Sequence, residues 1–268
     1  MRRFCATWVV ALVSSSLMGL PASAGVTTES TAADIWVPAP GVTFQWQLQG
    51  KVDTTVAAEV YDIDMFDSRK KLVTKLHEQG RKVICYVSAG SYEDWRPDAD
   101  DFPEEILGKP LDGWPGERWL DVRALTELKE IMDARLDRCA AKGFDGVEYD
   151  NVDGYTNDTG FPLTKADQLE YLTYLSEAAH ARGLSAGLKN LPQLGEELEP
   201  NWDFVVNEQC FQYNECGEYA AFIENDKAVF NVEYELKKSK FCAEAIEMGF
   251  TSMRKRYSLK AWRNPCWE

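Results

Sequence analysis

Histidine is the scarcest ionisable residue here: 268 residues carry only His77 and His180. Chemistry that relies on an imidazole base or a histidine metal cluster therefore has little to draw on. Both histidines fall in the last turn of an expected helix, three residues before Gly80 and Gly183, where a cation favours the helix dipole and a surface role suffices. The segment SAGS, Ser88 to Ser91, lacks the G-x-S-x-G elbow, so a serine triad has neither its turn nor its base. There is no CxxC pair for a zinc site. DNVDGYTND, from Asp150 to Asp158, puts Val152 and Gly154 where an EF-hand needs ligands. No G-x-G-x-x-G turn supports a dinucleotide site. No metal and no cofactor are expected. Beyond residue 24 no run is apolar enough to cross a membrane. Positive charge is also short, 29 Lys and Arg against 44 Asp and Glu for a net −15. That balance disfavours nucleic acid and anionic membranes and favours polycations.

The first 24 residues, MRRFCATWVVALVSSSLMGLPASA, combine a charged start, an apolar stretch and a small-residue Ala-Ser-Ala end. They are expected to be a secretory signal peptide, which makes the protein extracytoplasmic. Loss of Arg2 and Arg3 with that leader moves the formal charge to −17. Residues 25–43, rich in Thr, Ala and Pro, are expected as a flexible lead-in, and residues 44–268 as one domain of barrel size. A monomer is expected. Six cysteines remain after cleavage, an even number suited to disulfides in an exported chain. Cys210 and Cys216 bracket a tight loop and Cys242 and Cys266 bracket the C-terminal segment, which leaves Cys85 for Cys139.

Four times an amphipathic stretch is followed within a residue or two by a glycine and then an apolar run, at Gly80, Gly143, Gly183 and Gly249. Glycine just past a helix end stops the helix in the left-handed conformation, and the apolar run is a buried strand. Strands are expected at Phe44–Leu48, Val60–Ile63, Lys82–Ser88, Arg118–Val122, Gly146–Asp150, Ser185–Lys189, Phe204–Glu208 and Ala228–Tyr234, with Thr251–Arg254 as a possible ninth. Helices are expected over Arg69–Gln79 and Leu125–Lys142, the latter with Leu125, Leu128, Met132, Leu136 and Cys139 at helical spacing. Alternation of strand and helix over this length predicts an α/β fold, a single (β/α)8 TIM barrel, with a doubly wound open sheet as its competitor. The connection from Ala89 to Glu117, with Trp95 and Trp114, is long enough to be functional.

Carboxylates punctuate the ends of these strands, where parallel strands of a barrel converge on a shared pocket. Glu148 and Asp150 point the same way on one strand and Asp150 is nearer the rim. Glu208 closes a strand two positions away, so Asp150 and Glu208 can meet as the two carboxyls of a glycosidase. The spacing alone leaves retaining and inverting hydrolysis open. Asp64, Tyr86, Asp121, Glu148, Tyr155, Lys189, Asn190 and Glu233, at strand ends or in adjoining loops, are candidates to bind substrate. Aromatic rings among them would suit sugar faces.

Six blocks in order, VICYVSAGSYEDWRPDADDF, WPGERWLDVR, GFDGVEYDNVDGY, GLKN, VVNEQCF and AVFNVEYE, resemble glycoside hydrolase family 114, the endo-alpha-1,4-polygalactosaminidases. The resemblance runs from about Gln45 to the C terminus. It implies a (β/α)8 barrel, retaining hydrolysis of alpha-1,4-linked galactosamine polymers, Asp150 as nucleophile and Glu208 as acid/base. A deacetylated galactosamine polymer is a polycation, and an acidic rim would attract it, with ammonium groups on Asp64, Asp121 or Glu233. The expected partner is thus a cationic or partly acetylated galactosamine-rich polysaccharide. Two alternatives stand beside it: EYDN, Glu148 to Asn151, also looks like the nucleophile strand of alpha-galactosidase-type exo-enzymes, and a non-catalytic surface glycan-binding protein would need neither carboxylate.

Overall fold

The computed structural model describes residues 35–267, so the expected signal peptide lies outside the described residues. In chain order the elements are β1 (Phe44–Gln47), β2 (Val60–Asp64), α1 (Lys70–Glu78), β3 (Lys82–Ser88), β4 (Ser91–Glu93), β5 (Leu107–Pro110), β6 (Glu117–Leu120), α2 (Leu125–Lys142), β7 (Gly146–Asp150), α3 (Lys165–His180), β8 (Ser185–Lys189), α4 (Gly195–Leu198), β9 (Phe204–Glu208), α5 (Cys210–Tyr213), α6 (Ala220–Glu224), β10 (Val229–Glu233), α7 (Cys242–Glu247), β11 (Thr251–Arg254) and β12 (Asn264–Pro265). Eight of the strands are parallel neighbours in the order β1-β2-β3-β7-β8-β9-β10-β11, a curled β/α barrel sheet to which β12 adds antiparallel. No helix intervenes between β1 and β2, so the outer layer is incomplete there.

The segment expected as the fourth barrel strand lies elsewhere. Glu117–Leu120 pairs antiparallel with β4 and β5 in a separate three-stranded sheet, and Thr251–Arg254 is the eighth barrel strand. The reason is exposure: Arg118 and Trp119 are only half-buried in β6. A parallel barrel strand is covered on both faces and reads as a nearly continuous apolar run.

Inward and outward side chains alternate. Phe44, Trp46, Val60, Ile84, Phe204, Val206, Phe230, Val232 and Met253 fill the barrel, with Phe44 stacked on Phe230 at 4.3 Å. The opposite parity, including Ile63, Val87, Val147, Tyr149, Leu188 and Val205, packs beneath the helices. On α2 the buried face is Leu128, Ile131, Met132, Arg135, Leu136 and Cys139. Each such aliphatic side chain contributes about 1.5–3 kcal/mol on burial. The four punctuating glycines have φ of 74°, 88°, 70° and 76° at Gly80, Gly143, Gly183 and Gly249.

No ladder joins β1 to β11. The C-terminal segment fills that seam instead: Leu48 N donates to Leu259 O (3.1 Å), Gln45 Nε2 to Ala261 O (3.0 Å), Arg263 Nη1 to Phe44 O (2.6 Å) and Cys266 N to Ser252 O (3.0 Å). Cys242–Cys266 staples this segment to α7, Cys85–Cys139 ties β3 to α2, and Cys210–Cys216 closes the loop beyond β9. These are the three expected pairs.

Candidate active site

Parallel strands end at one rim, and here three consecutive ones end in charge: Asp150 on β7, Lys189 on β8 and Glu208 on β9. The residue after each has left-handed backbone, Asn151 at φ 61°, Asn190 at 52° and Gln209 at 66°. Non-glycine residues adopt this conformation at a cost, asparagine least, and such strain gathers at functional sites. The turns break each strand at its charged residue. Asn190 also accepts a hydrogen bond from Glu208 N through Oδ1 (2.9 Å), locking two of the strand ends together.

Lys189 is the hub. Its side chain is 3% exposed, and Nζ lies 2.7 Å from Asp150 Oδ1, 3.0 Å from Glu208 Oε2 and 3.8 Å from Glu148 Oε1. Two carboxylates that touch one ammonium have their nearest oxygens no more than about 5.7 Å apart. Asp150 Oδ1 also accepts from Asn151 N (2.8 Å), and Oδ2 accepts from the Tyr86 hydroxyl (2.7 Å). Burial alone would raise the Asp150 carboxyl, but the Lys189 ammonium, the Tyr86 hydroxyl and the Asn151 amide outweigh it and hold the group below the usual aspartate range. Lys189 is also penalised by burial, yet its carboxylate partners keep its pKa well above the ordinary lysine value. Glu208 Oε1 accepts from the Tyr234 hydroxyl.

Beneath this layer Glu148 and Asp62 are fully buried. Glu148 Oε2 accepts from Trp46 Nε1 (3.0 Å), and the Asp62 and Glu148 side chains are hydrogen-bonded to each other. Burial pushes Glu148 up to about 7, and burial together with the nearby Glu148 charge pushes Asp62 well above its ordinary value. Two carboxyls buried side by side are costly to ionise together, so this lower pair favours holding one proton between them.

Above the hub opens a cavity of about 850 Å³. Its walls carry nine carboxylates (Asp64, Asp67, Glu93, Asp112, Glu117, Asp150, Asp153, Asp158 and Glu208) against three cations, Arg96, Lys109 and Lys189. The connection from Ala89 to Glu117 builds one wall through β4 and β5, with Trp95 and Trp114 about half-exposed. Arg96 anchors it, pairing with Asp64 Oδ2 (2.7 Å) and Glu93 Oε1 (2.7 Å). Arg135, buried on α2, holds its base by donating to Ser88 O (2.7 Å) and to Asp98.

The other candidates are dispersed. Asp64 and Asn190 line the cavity. The Asp121 carboxylate is held by Arg123 through two 2.7 Å contacts, and the Tyr155 hydroxyl accepts from Gln193 Nε2 (2.9 Å); neither lines the cavity. Glu233 shares the outward parity of Val229 and Asn231 and accepts from Phe211 N (3.0 Å) behind the barrel wall. The two histidines sit below the strands, each 2.8 Å from an aspartate that precedes one, Asp145 or Asp203.

Residues 25–268 match glycoside-hydrolase family GH114. The chain belongs to this family. Among solved structures, the GH114 chain is similar to Aspergillus fumigatus Ega3 in complex with galactosamine, at 44% identity and TM-score 0.82, covering 86% of this chain and 97% of that one. The glycoside hydrolase domain of PelA from Pseudomonas aeruginosa shares the fold at 13% identity and TM-score 0.64, covering 84% and 98%. An uncharacterized protein of Deinococcus radiodurans is 30% identical over 183 residues, 58% of this chain and 57% of that protein. Another, from Thermotoga maritima, is 24% identical over 170 residues, 57% and 52%. The chain thus matches little more than half the length of these curated relatives.

Sequence reasoning overlooked four supports of this GH114 site: Tyr234, Trp46 as the partner of Glu148, Arg96, and Gly90. A Cβ on Gly90 would lie 1.7 Å from Asn151 O, so only glycine lets the β3 turn pass the strained residue that holds Asp150. Tyr234 was within reach of strand parity, since it continues the inward series Phe230 and Val232.

Proposed function

We propose that this chain is a secreted, endo-acting glycoside hydrolase of alpha-1,4-linked galactosamine polymers, retaining in stereochemistry, with Asp150 as nucleophile and Glu208 as acid/base. The observation that carries the reading is the grip of one buried ammonium on both carboxylates. Nearest oxygens no more than about 5.7 Å apart accommodate the roughly 5–5.5 Å between the carboxyls of retaining enzymes, and the family resemblance supplies the choice of retention. Lys189 and the Asn151 amide occupy Oδ1 of Asp150, while Oδ2 has only Tyr86. Oδ2 is therefore the oxygen with a lone pair for the anomeric carbon. Glu208 gives its proton to the departing glycosidic oxygen, and the glycosyl ester on Asp150 is then cleaved by water that Glu208 deprotonates. The excess of carboxylates around the cavity suits a substrate with one ammonium per deacetylated unit. The likeness to a structure complexed with galactosamine supports the same sugar.

The test is direct. Asp150→Asn and Glu208→Gln each keep shape and remove one function, so each should slow cleavage of a deacetylated polymer at least about a hundredfold. Proton NMR of the first products should show the alpha anomer. Wild-type turnover by either variant, or a beta product, refutes the assignment.

A further inference from the structure

An acid/base that protonates the leaving oxygen fixes where the leaving sugar lies, because that sugar must be against it. On the structure this side is aromatic. The Tyr234 hydroxyl bonds Glu208 Oε1, and the Tyr234 ring stacks on Tyr257 with centroids 4.3 Å apart and planes 20° apart. Tyr234 is buried, whereas Tyr257 is 56% exposed, so one face of the stack is open. The Tyr257 hydroxyl is hydrogen-bonded by Glu235 and Gln209 and lies within electrostatic reach of Tyr213, which is 61% exposed. Tyr213, Glu235 and Tyr257 lie outside the cavity lining, and the platform joins the cleft through Glu208, which lines it and accepts from Tyr234.

Exposed tyrosines of this kind are matched to a ligand with an apolar face and a polar edge. A pyranose has both, and an amino sugar adds a cation for a carboxylate. We propose that the open face of Tyr257, with Glu235 and Tyr213 beside it, is the subsite for the galactosamine unit on the leaving-group side of the scissile bond. This rests on the assignment of Glu208 as acid/base. Ring stacking holds the leaving unit flat against the wall, and Glu235 takes its ammonium. The subsite selects polymer over small glycosides and, through Glu235, favours a deacetylated unit there.

The experiment compares wild type, Tyr257→Ala, Tyr257→Phe and Glu235→Gln on two substrates: the deacetylated polymer, and an alpha-galactosaminyl oligosaccharide fluoride whose leaving group is no sugar. Tyr257→Ala should lower kcat/KM on the polymer by about tenfold, the equivalent of about 1.4 kcal/mol, and leave fluoride release within about twofold. Tyr257→Phe should retain the polymer rate, since the ring remains. Glu235→Gln should lose more on the deacetylated polymer than on its acetylated form. An equal loss by Tyr257→Ala on both substrates would show that the ring merely supports Tyr234 and Glu208, and would overturn the subsite. No loss on the polymer would overturn it as well. A wild-type protein that cleaves neither substrate would sink the hydrolase reading and the subsite with it, an outcome distinct from the other two.

Discussion

Replacing Lys189 by methionine, of similar length and no charge, tests the hub most severely. At an effective dielectric of 20, contacts of 2.7 and 3.0 Å are each worth about 5–6 kcal/mol of Coulomb attraction, and desolvation of the groups offsets most of it. Removing one partner does not recover that desolvation. Asp150, Glu208 and Glu148 would be left facing one another without a cation, and such truncations cost about 3–5 kcal/mol. For a domain of this size that is a fall in Tm of about 6–20 °C. The pH dependence follows in sign. Asp150 is held below its ordinary pKa, so its stabilisation is present above about pH 4 and is lost as pH falls through the folded value. Lys189 is held above its own, so its share is complete below about pH 10 and is lost only at higher pH. The gap between wild type and Lys189→Met should therefore be widest from about pH 5 to 9 and close toward pH 3. Calorimetry across that range decides it, with polymer cleavage followed in parallel. A variant melting within about 2 °C of wild type at pH 7 would refute the account of Lys189 as the ion that binds the site together.

Three further outcomes are expected. Gly90→Ala must displace the Asn151 carbonyl and with it the amide on Asp150; kcat/KM should fall by about a hundredfold, with far-UV circular dichroism retained. Reducing Cys210–Cys216, two residues past Glu208, should lower activity before the fold is lost, so a thiol titration followed by both polymer cleavage and tryptophan fluorescence should show two separate transitions. Glu148 has a pKa raised by burial to about 7, so wild type loses stability as pH rises from about 4.5 through 7. Glu148→Gln, which cannot ionise, should lose less between pH 5 and 8 in urea denaturation, and an unchanged slope would remove Glu148 from the account.

The alternation of apolar runs with glycine-stopped helices made the barrel readable, because both features are local. The glycine phrase precedes four of the barrel strands, β3, β7, β8 and β11, and apolar runs mark the other four. Which of Arg118–Val122 and Thr251–Arg254 completes the barrel was not readable, since a strand of the accessory sheet and a short barrel strand have similar composition and differ in what covers them. Asp150, Lys189 and Glu208 were visible as charges at strand ends. Their mutual contacts were not, because the hub is assembled from three strands and its supports, Trp46, Tyr86 and Tyr234, stand 26 to 102 residues away from the groups they hold. Glu233 shows the opposite failure. It ends a strand as Asp150 does, but Val232 before it points inward, and the pleat turns Glu233 away from the barrel interior.

The seam between β1 and β11 has a bearing on solubility. A closed barrel ladder has no edge strand, but here two edges meet across a strip of chain held by a few backbone and side-chain contacts and the Cys242–Cys266 link. If that strip were lifted by reduction, β1 and β11 would present unpaired amides and carbonyls, the template on which another molecule's strand can add. The bond that dresses this edge thus protects the protein from its own copies, and a chain expressed where cysteines stay reduced would meet that hazard at the seam first.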